Sequence, residues 1–149
     1  MTDLTTKVLA VLGSFALGFC AMMNGVIAAV ALFTGNLFGA VGDAKLDEAL
    51  TASANHTATY AKVIALVFGL LAAIQFGAGE FLRRRVRHVF VAIACAISVA
   101  GAIGQSIWVG HFTALDAMIA GCAVFAAWTW WRLPHGELES DAVPAELSF

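Results

Sequence analysis

The feature that most constrains this chain is a run of 26 residues, positions 8–33, without a single charged side chain. A helix that crosses the hydrocarbon core of a bilayer needs about 20 consecutive apolar residues. The composition agrees, because 61% of the 149 residues are hydrophobic and only 12% are charged. A domain this small keeps much of its surface in water and could not hide so much apolar area. These values exclude a disordered chain, a disulfide scaffold and an ordinary cytosolic domain.

Three further apolar segments follow the first one. The predicted transmembrane helices occupy residues 8–33, 58–82, 88–109 and 112–131. Helices are expected rather than barrel strands, because the segments lack the two-residue alternation of a barrel. The sequence therefore predicts an all-α fold, a four-transmembrane-helix bundle that forms a single membrane domain over residues 1–149. The acidic tail, residues 132–149, is expected to be mobile.

The connection between the first two spans, residues 34–57, is polar and contains several glycines. Asp43 can cap a helix here, because its side-chain oxygens can accept from the free N–H groups of a first turn. Leu46 and Leu50 would then share one face of that helix, four residues apart. We therefore expect a loop that holds one short helix on the extracytoplasmic surface of the bundle.

Lysine and arginine are unevenly distributed between the two sides of the predicted bundle. Four spans place both termini on one side, and the basic residues of that side are Lys7, Arg83, Arg84, Arg85, Arg87 and Arg132. The opposite side carries Lys45 and Lys62. Because basic residues concentrate in cytoplasmic loops, both termini are predicted to be cytoplasmic. The arginine run is also expected to attract anionic lipid headgroups. We expect a multi-pass protein of the cell membrane, and the alanine-rich composition favours the bacterial inner membrane.

Small residues recur at four-residue spacing in every span. The rows are Gly69, Ala73 and Gly77; Ala96, Ala100 and Gly104; Ala21, Gly25 and Ala29; and Ala117 with Gly121. Such rows let helix backbones approach closely in lipid. We predict that leucine at position 77 or 104 pushes adjacent helices apart and weakens the fold or its assembly. The alternative is chance, because alanine is common throughout the chain.

Polar side chains within the spans are costly and are the best pointers to function. Lys62 and Asp116 each lie about one turn inside a span from the outer end, and we predict that they pair at matched depth. Separate solvation of the two charges is the alternative. With Asn24, Gln105 and His111 they form a candidate polar pocket in the outer half. Ordinary hydrogen bonding between helices is the favoured interpretation of the uncharged residues, as it is for Gln75.

The sequence contains no motif that identifies a reaction. The histidines lie at span ends or in the tail and no Cys-x-x-Cys is present, so we expect no cofactor and no metal site. A net charge of −2 argues against binding to nucleic acid. The favoured function is a structural or accessory subunit that forms a homo-oligomer or joins a larger membrane complex through Ala/Gly-rich faces. The alternatives are a small transporter or channel that uses Asp116, Lys62, Gln105 and Asn24, and a membrane enzyme or redox subunit.

Overall fold

Four antiparallel α-helices make up the computed structural model, which describes residues 3–44, 47–85 and 88–133. The helices are α1 (Asp3–Gly42), α2 (Glu48–Arg83), α3 (Val89–Val109) and α4 (Ala114–Arg132). No strand occurs in these described residues. All four helices are long and apolar enough to cross a membrane. The prediction of an all-α fold with four apolar helices is confirmed, whereas most of the tail, residues 134–149, lies outside the described residues.

The helices follow one another around the bundle. α1 packs against α2 and α4, and α3 packs against the same two helices. α2 and α4 therefore lie on opposite corners, as do α1 and α3. We call the end where α2 stops at Arg83 the arginine end. The largest buried side chains of the core near that end are Leu17, Leu82, Val91 and Leu133. A smaller cluster farther from that end contains Cys20, Ala102 and Ile119.

The helices differ in length by a factor of about two. α1 and α2 contain 40 and 36 residues, whereas α3 and α4 contain 21 and 19. Leu71 packs beside Gly101, so α3 ends at about the level of residue 63 on α2. Beyond that level α1 and α2 continue as a two-helix hairpin for roughly 20 Å at 1.5 Å per residue. We call residues 34–42 and 48–62 the tip, and the remainder the four-helix region.

The connection between α1 and α2 differs from the prediction. Residues 34–42 continue α1, and α2 begins at Glu48 after its N-cap residue Asp47. The described part of the connection therefore holds no separate surface helix, and Asp43 lies in the turn that follows α1. Leu46 lies outside the described residues.

Glycines that indicate a loop in the sequence instead serve the contact between α1 and α2. A Cβ atom placed on Gly35 would lie 3.2 Å from the carbonyl oxygen of Ala58, and one placed on Gly42 would collide with the side chain of Asn55. Glycine costs a helix roughly 0.5–1 kcal/mol relative to alanine. Close packing of the second helix offsets that cost, which explains why α1 continues through the polar segment.

The two shorter helices have clear end signals. Gly110 has φ +83° and ends α3 in the left-handed conformation that glycine adopts without a Cβ clash. α4 begins after Thr113, whose hydroxyl accepts from the backbone N–H of Asp116. At the arginine end, Nδ1 of His88 accepts from the backbone N–H of Phe90 and caps α3. These caps agree with the predicted span boundaries to within two residues.

The glycines at the close contacts within the bundle are not the glycines of the predicted small-residue rows. Gly13 lies against Thr129 and Leu82, and Gly79 lies against the backbone of Ser14. In the predicted rows, by contrast, a Cβ atom on Gly104 would meet nothing within 4 Å. That side of α3 faces outward, so a Cβ atom at position 104 has no neighbouring helix of the chain to displace. The effect of leucine there on the fold or its assembly stays a prediction. At position 77 a Cβ atom would contact Phe90 at an ordinary 3.7 Å.

Candidate functional site

Three polar side chains form a continuous hydrogen-bonded layer inside the four-helix region. Nδ2 of Asn24 on α1 donates to Oε1 of Gln75 on α2 at 2.8 Å. Nε2 of Gln75 donates to Oγ of Ser98 on α3 at 2.7 Å, and that hydroxyl donates to the carbonyl oxygen of Ala94 at 2.6 Å. All three side chains are buried. We call Asn24, Gln75 and Ser98 the polar layer.

The polar layer connects three helices, and a neighbouring thiol reaches the fourth. Sγ of Cys20, one turn from Asn24 on α1, donates to the carbonyl oxygen of Ile119 on α4 at 3.5 Å. Interhelical hydrogen bonds in membrane bundles contribute about 0.6 kcal/mol on average and up to about 1.7 kcal/mol. Amides and hydroxyls carry no charge at neutral pH, so the layer holds helices together and supplies no ionic group for a substrate.

The sequence indicated two members of this layer and missed the third. Asn24 forms the interhelical hydrogen bond that was its favoured interpretation, and its partner is Gln75 rather than a member of the alternative outer pocket. Gln75 itself was expected to bond between helices, and it does. Ser98 went unrecognised, although it is the only hydroxyl-bearing residue in the first four turns of α3 and was therefore a detectable signal.

Asp116 is buried at the start of α4 and is held by its own helix cap. Its Oδ2 accepts from the backbone N–H of Thr113 at 2.9 Å and from the Thr113 hydroxyl at 2.6 Å. Together with the bond from the Asp116 N–H back to Thr113, this is a capping box, which satisfies free N–H groups of a first turn. The spacing Thr-x-x-Asp at positions 113–116 is a signal for this cap that the span assignment did not use. Oδ1 of Asp116 is buried without a hydrogen-bond partner.

Lys62 is far from Asp116, and the predicted ion pair does not form. The Lys62 side chain lies along α1, with Cγ beside Gly35 and the ammonium group near Gly39. Asp116 lies one turn from Ile119, which is at the level of Cys20. At 1.5 Å per residue the two charges are roughly 20 Å apart along the bundle, on helices at opposite corners. The sequence predicted equal depth for the two charges because it placed the start of the second span at residue 58. α2 begins ten residues earlier, at Glu48, so Lys62 is not one turn from its start.

The remaining members of the candidate pocket also lie apart. Gln105 is half-buried and lines a groove between α2 and α3 with Leu71 and Gly101. His111 is exposed in the turn between α3 and α4. The five candidates thus lie at five separate places: the tip, the interior, a surface groove, a turn and a helix cap. No common polar cavity brings them together among the described residues.

The arginine end carries a compact ionic cluster. Glu80 accepts from Nε and Nη2 of Arg83 at 2.8 Å each and from Nε of Arg84 at 2.8 Å. Arg85 follows in the turn with φ 60°, and Arg87 lies outside the described residues. Exposed ion pairs such as these add little to stability. Two guanidinium groups and one carboxylate nevertheless leave this cluster net positive where α2 ends.

A second surface is built from small side chains that face outward. Between α3 and α4 lies an open apolar groove of about 580 Å³. We call this surface the α3–α4 face; its residues include Ala92, Ala96, Ala100, Val124, Ala127 and Trp131. Ala96 and Ala100, one turn apart, are both exposed. The predicted row on α3 therefore lies on the outside of the bundle rather than in a seam between its helices.

Nothing among the described residues resembles a metal centre. They contain no group of three histidine, cysteine, aspartate or glutamate side chains that could hold a metal ion. Cys20, Cys95 and Cys122 are free thiols on three different helices. The chain matches no protein-family model, no curated protein and no solved structure. Function must therefore be inferred from the surfaces of the bundle itself.

Proposed function

We propose that this chain is a small integral membrane protein that acts as a structural or accessory subunit and assembles through the α3–α4 face. The observation that carries the proposal is the exposure of Ala96 and Ala100 in an apolar groove. The partner is a helix of a second copy of the chain or of a larger membrane complex. We place the four-helix region in the bilayer, in bacteria the inner membrane, and the tip in water.

The physical basis is the way helices associate in lipid. Lipid tails are as apolar as leucine, so association depends on close packing, and small residues let two backbones approach. Inside the bundle this role belongs to Gly13, Gly35 and Gly79, which other helices of the chain already contact. Ala96 and Ala100 of the α3–α4 face are exposed outside that packing and are open to a partner.

The composition of the tip favours its position outside the bilayer. It contains Glu48, Asn55 and His56, and Asp43 and Asp47 flank it at the turn. Charged side chains at the centre of a bilayer cost about 2.5–3.5 kcal/mol even on the most permissive scales. A hairpin whose turn carries several carboxylates is therefore more stable in water, while residues 8–33 and 63–79 supply uncharged spans.

The assembly proposal is tested by replacing Ala96 and Ala100 together with leucine. The bulkier side chains should weaken self-association in lipid vesicles about tenfold, measured by energy transfer between labelled copies at several protein-to-lipid ratios. Leucine at Ala73, which is exposed on α2 and outside the face, is the matched control. Association that is equal for both variants would contradict the proposal. In a separate experiment, a different protein that co-purifies with the chain from native membrane in stoichiometric amount would identify a heteromeric complex.

Both termini are proposed to be cytoplasmic, on the basis of six basic residues against two. Single cysteines at Ala44 and at Ser140 test this orientation in intact cells, in a chain whose native cysteines are replaced. An impermeant thiol reagent should label position 44 and leave position 140 unlabelled until the membrane is opened. Labelling of position 140 alone would show that the termini lie outside the cytoplasm and would contradict the proposed orientation.

A further inference from the structure

A second apolar groove, of about 530 Å³, lies between α1 and α2 on the surface of the four-helix region. We call it the α1–α2 groove; its residues include Val11, Phe15, Gly18, Met22, Phe76 and Gly79. It is separate from the α3–α4 face and belongs to the opposite pair of helices. Glu80 and Arg83 line its end at the arginine end of the bundle.

The shape of the groove comes from the contrast between its floor and its walls. Gly18 and Gly79 have no side chains to fill it, and a Cβ atom on Gly18 would meet nothing within 4 Å. Phe15 and Phe76 are each 73% exposed, so their rings stand outward on either side. The result is an open groove along the helices, whose lining is apolar except for Ser14 and, at the arginine end, Glu80 and Arg83.

The length of the groove matches one leaflet of a bilayer. From Val11 to Met22 it extends along α1 for about 16 Å at 1.5 Å per residue. The hydrocarbon core is about 30 Å thick, so each leaflet contributes about 15 Å. A groove that begins at the charged helix end and stops near mid-membrane has the dimensions of one acyl chain.

The charge at the open end of the groove selects the kind of headgroup. Glu80 uses two N–H donors of Arg83 and one of Arg84. Each guanidinium carries five donors, so most remain for another acceptor. Arginine binds phosphate through paired N–H groups, and this cluster is net positive. A headgroup with net negative charge therefore complements it better than a zwitterionic one.

We propose that the α1–α2 groove binds an anionic phospholipid, with one acyl chain on Gly18 and Gly79 and the phosphate at Arg83. Van der Waals contact along three turns stabilises the chain, and the guanidinium fixes the depth of the headgroup. The ionic cluster at the arginine end would thus bind the headgroup of the lipid whose acyl chain lies in the groove.

The test uses the 149-residue chain, purified in detergent, stripped of native lipid and then incubated with equal amounts of phosphatidylglycerol and phosphatidylcholine. Native mass spectrometry then measures retained phosphatidylglycerol and phosphatidylcholine of identical acyl chains. The wild type should retain phosphatidylglycerol preferentially. Gly18→Leu should fill the groove and reduce retention of both lipids about tenfold, because the leucine side chain displaces methylenes of the acyl chain from contact with the protein. Gly25→Leu is the control, because a Cβ atom there also meets nothing within 4 Å and residue 25 lies outside the groove.

The Arg83→Gln variant tests the contribution of the headgroup separately from that of the acyl chain. It should lower phosphatidylglycerol retention more than phosphatidylcholine retention and so reduce the preference for phosphatidylglycerol about fivefold. Equal retention by the wild type and Gly18→Leu, or an unchanged preference in Arg83→Gln, would overturn the proposal. A Gly18→Leu variant that changes oligomer mass but not bound lipid would assign the groove to a second copy of the chain instead.

Discussion

The four-helix region and the tip are built from the same two long helices but are held together differently. In the four-helix region every helix has two neighbours, and a buried polar layer joins α1, α2 and α3. In the tip α1 and α2 have only each other, and large apolar side chains such as Phe33, Leu37 and Leu50 remain exposed at its edge and along it. The comparison shows that helix continuity does not require burial on several sides. Close approach of two backbones through Gly35 and Gly42 is enough to hold a hairpin.

Removal of the Gln75 side-chain amide should have the largest effect on stability, and this effect should be on the four-helix region. Gln75→Leu breaks two interhelical hydrogen bonds and leaves the Asn24 amide buried without its partner. We expect a loss of about 2–4 kcal/mol in the free energy of unfolding, measured by denaturation in mixed micelles. Gln105→Leu, at a half-buried position, should change stability by less than about 0.5 kcal/mol. Equal stability of the two variants would show that the polar layer is incidental.

A triple variant sharpens this prediction. Asn24→Leu, Gln75→Leu and Ser98→Ala together remove every side chain of the layer, so no polar group is left without a partner. Replacing both sides of a buried hydrogen bond by apolar groups is often nearly neutral. The triple variant should therefore be more stable than Gln75→Leu alone. A triple variant less stable than the single one would mean that the layer contributes more than its paired bonds.

The next largest effect should be confined to the tip. Gly35→Leu places a side chain where a Cβ atom alone would already lie 3.1–3.3 Å from Lys62, Ala58 and Ala61. Overpacking of this kind costs about 1–3 kcal/mol, so hydrogen-exchange protection of the tip should fall about tenfold or more. Gly39→Leu is the control, because only the mobile ammonium group of Lys62 lies near it. Loss of protection throughout the four-helix region would show that the two regions unfold together.

A smaller effect is expected at the cap of α4. Thr113→Ala removes the hydroxyl that accepts from the Asp116 N–H and donates to its carboxylate, and should cost about 1 kcal/mol. Thr113→Ser keeps the hydroxyl and should restore most of the stability. Thr59→Ala, in the exposed tip, removes a hydroxyl that bonds only to its own helix and should stay within about 0.5 kcal/mol of wild type. Thermal unfolding of the three variants tests the order, and a Thr113→Ala variant as stable as Thr59→Ala would contradict it.

The smallest effect is expected for the pair Lys62 and Asp116, whose substitutions should act independently on stability. Lys62→Met and Asp116→Asn change charges that lie roughly 20 Å apart along the bundle, so their effects on unfolding should add within about 0.5 kcal/mol. A double-mutant cycle measures the difference. A coupling energy well above this value would place the two charges in contact and would contradict the position of Lys62 beside α1.

Sequence reasoning predicted the four helices because each contains a long apolar stretch with few charged residues, which is typical of a spanning segment. It did not predict the tip, because Gly35, Gly39 and Gly42 lower helix propensity, and their compensation comes from contact with α2. Contacts between segments distant in the chain leave no local periodicity. The same limit explains why the hydrogen-bond partner of Asn24 could not be named and why the row at Ala96 and Ala100 could not be assigned to an inner or an outer surface. The Thr113–Asp116 cap, by contrast, was locally encoded.

We propose that α2 passes from lipid into water partway along its length, near residue 63. A nitroxide scan of α2 in bilayers tests it most directly, in a chain whose three cysteines are replaced by alanine. Labels at the exposed positions Val67 and Leu70 should collide preferentially with molecular oxygen, and labels at Ala52 and Ser53 with a water-soluble nickel complex. An oxygen preference at position 52 as strong as that at position 67 would place the tip in the membrane and contradict the account.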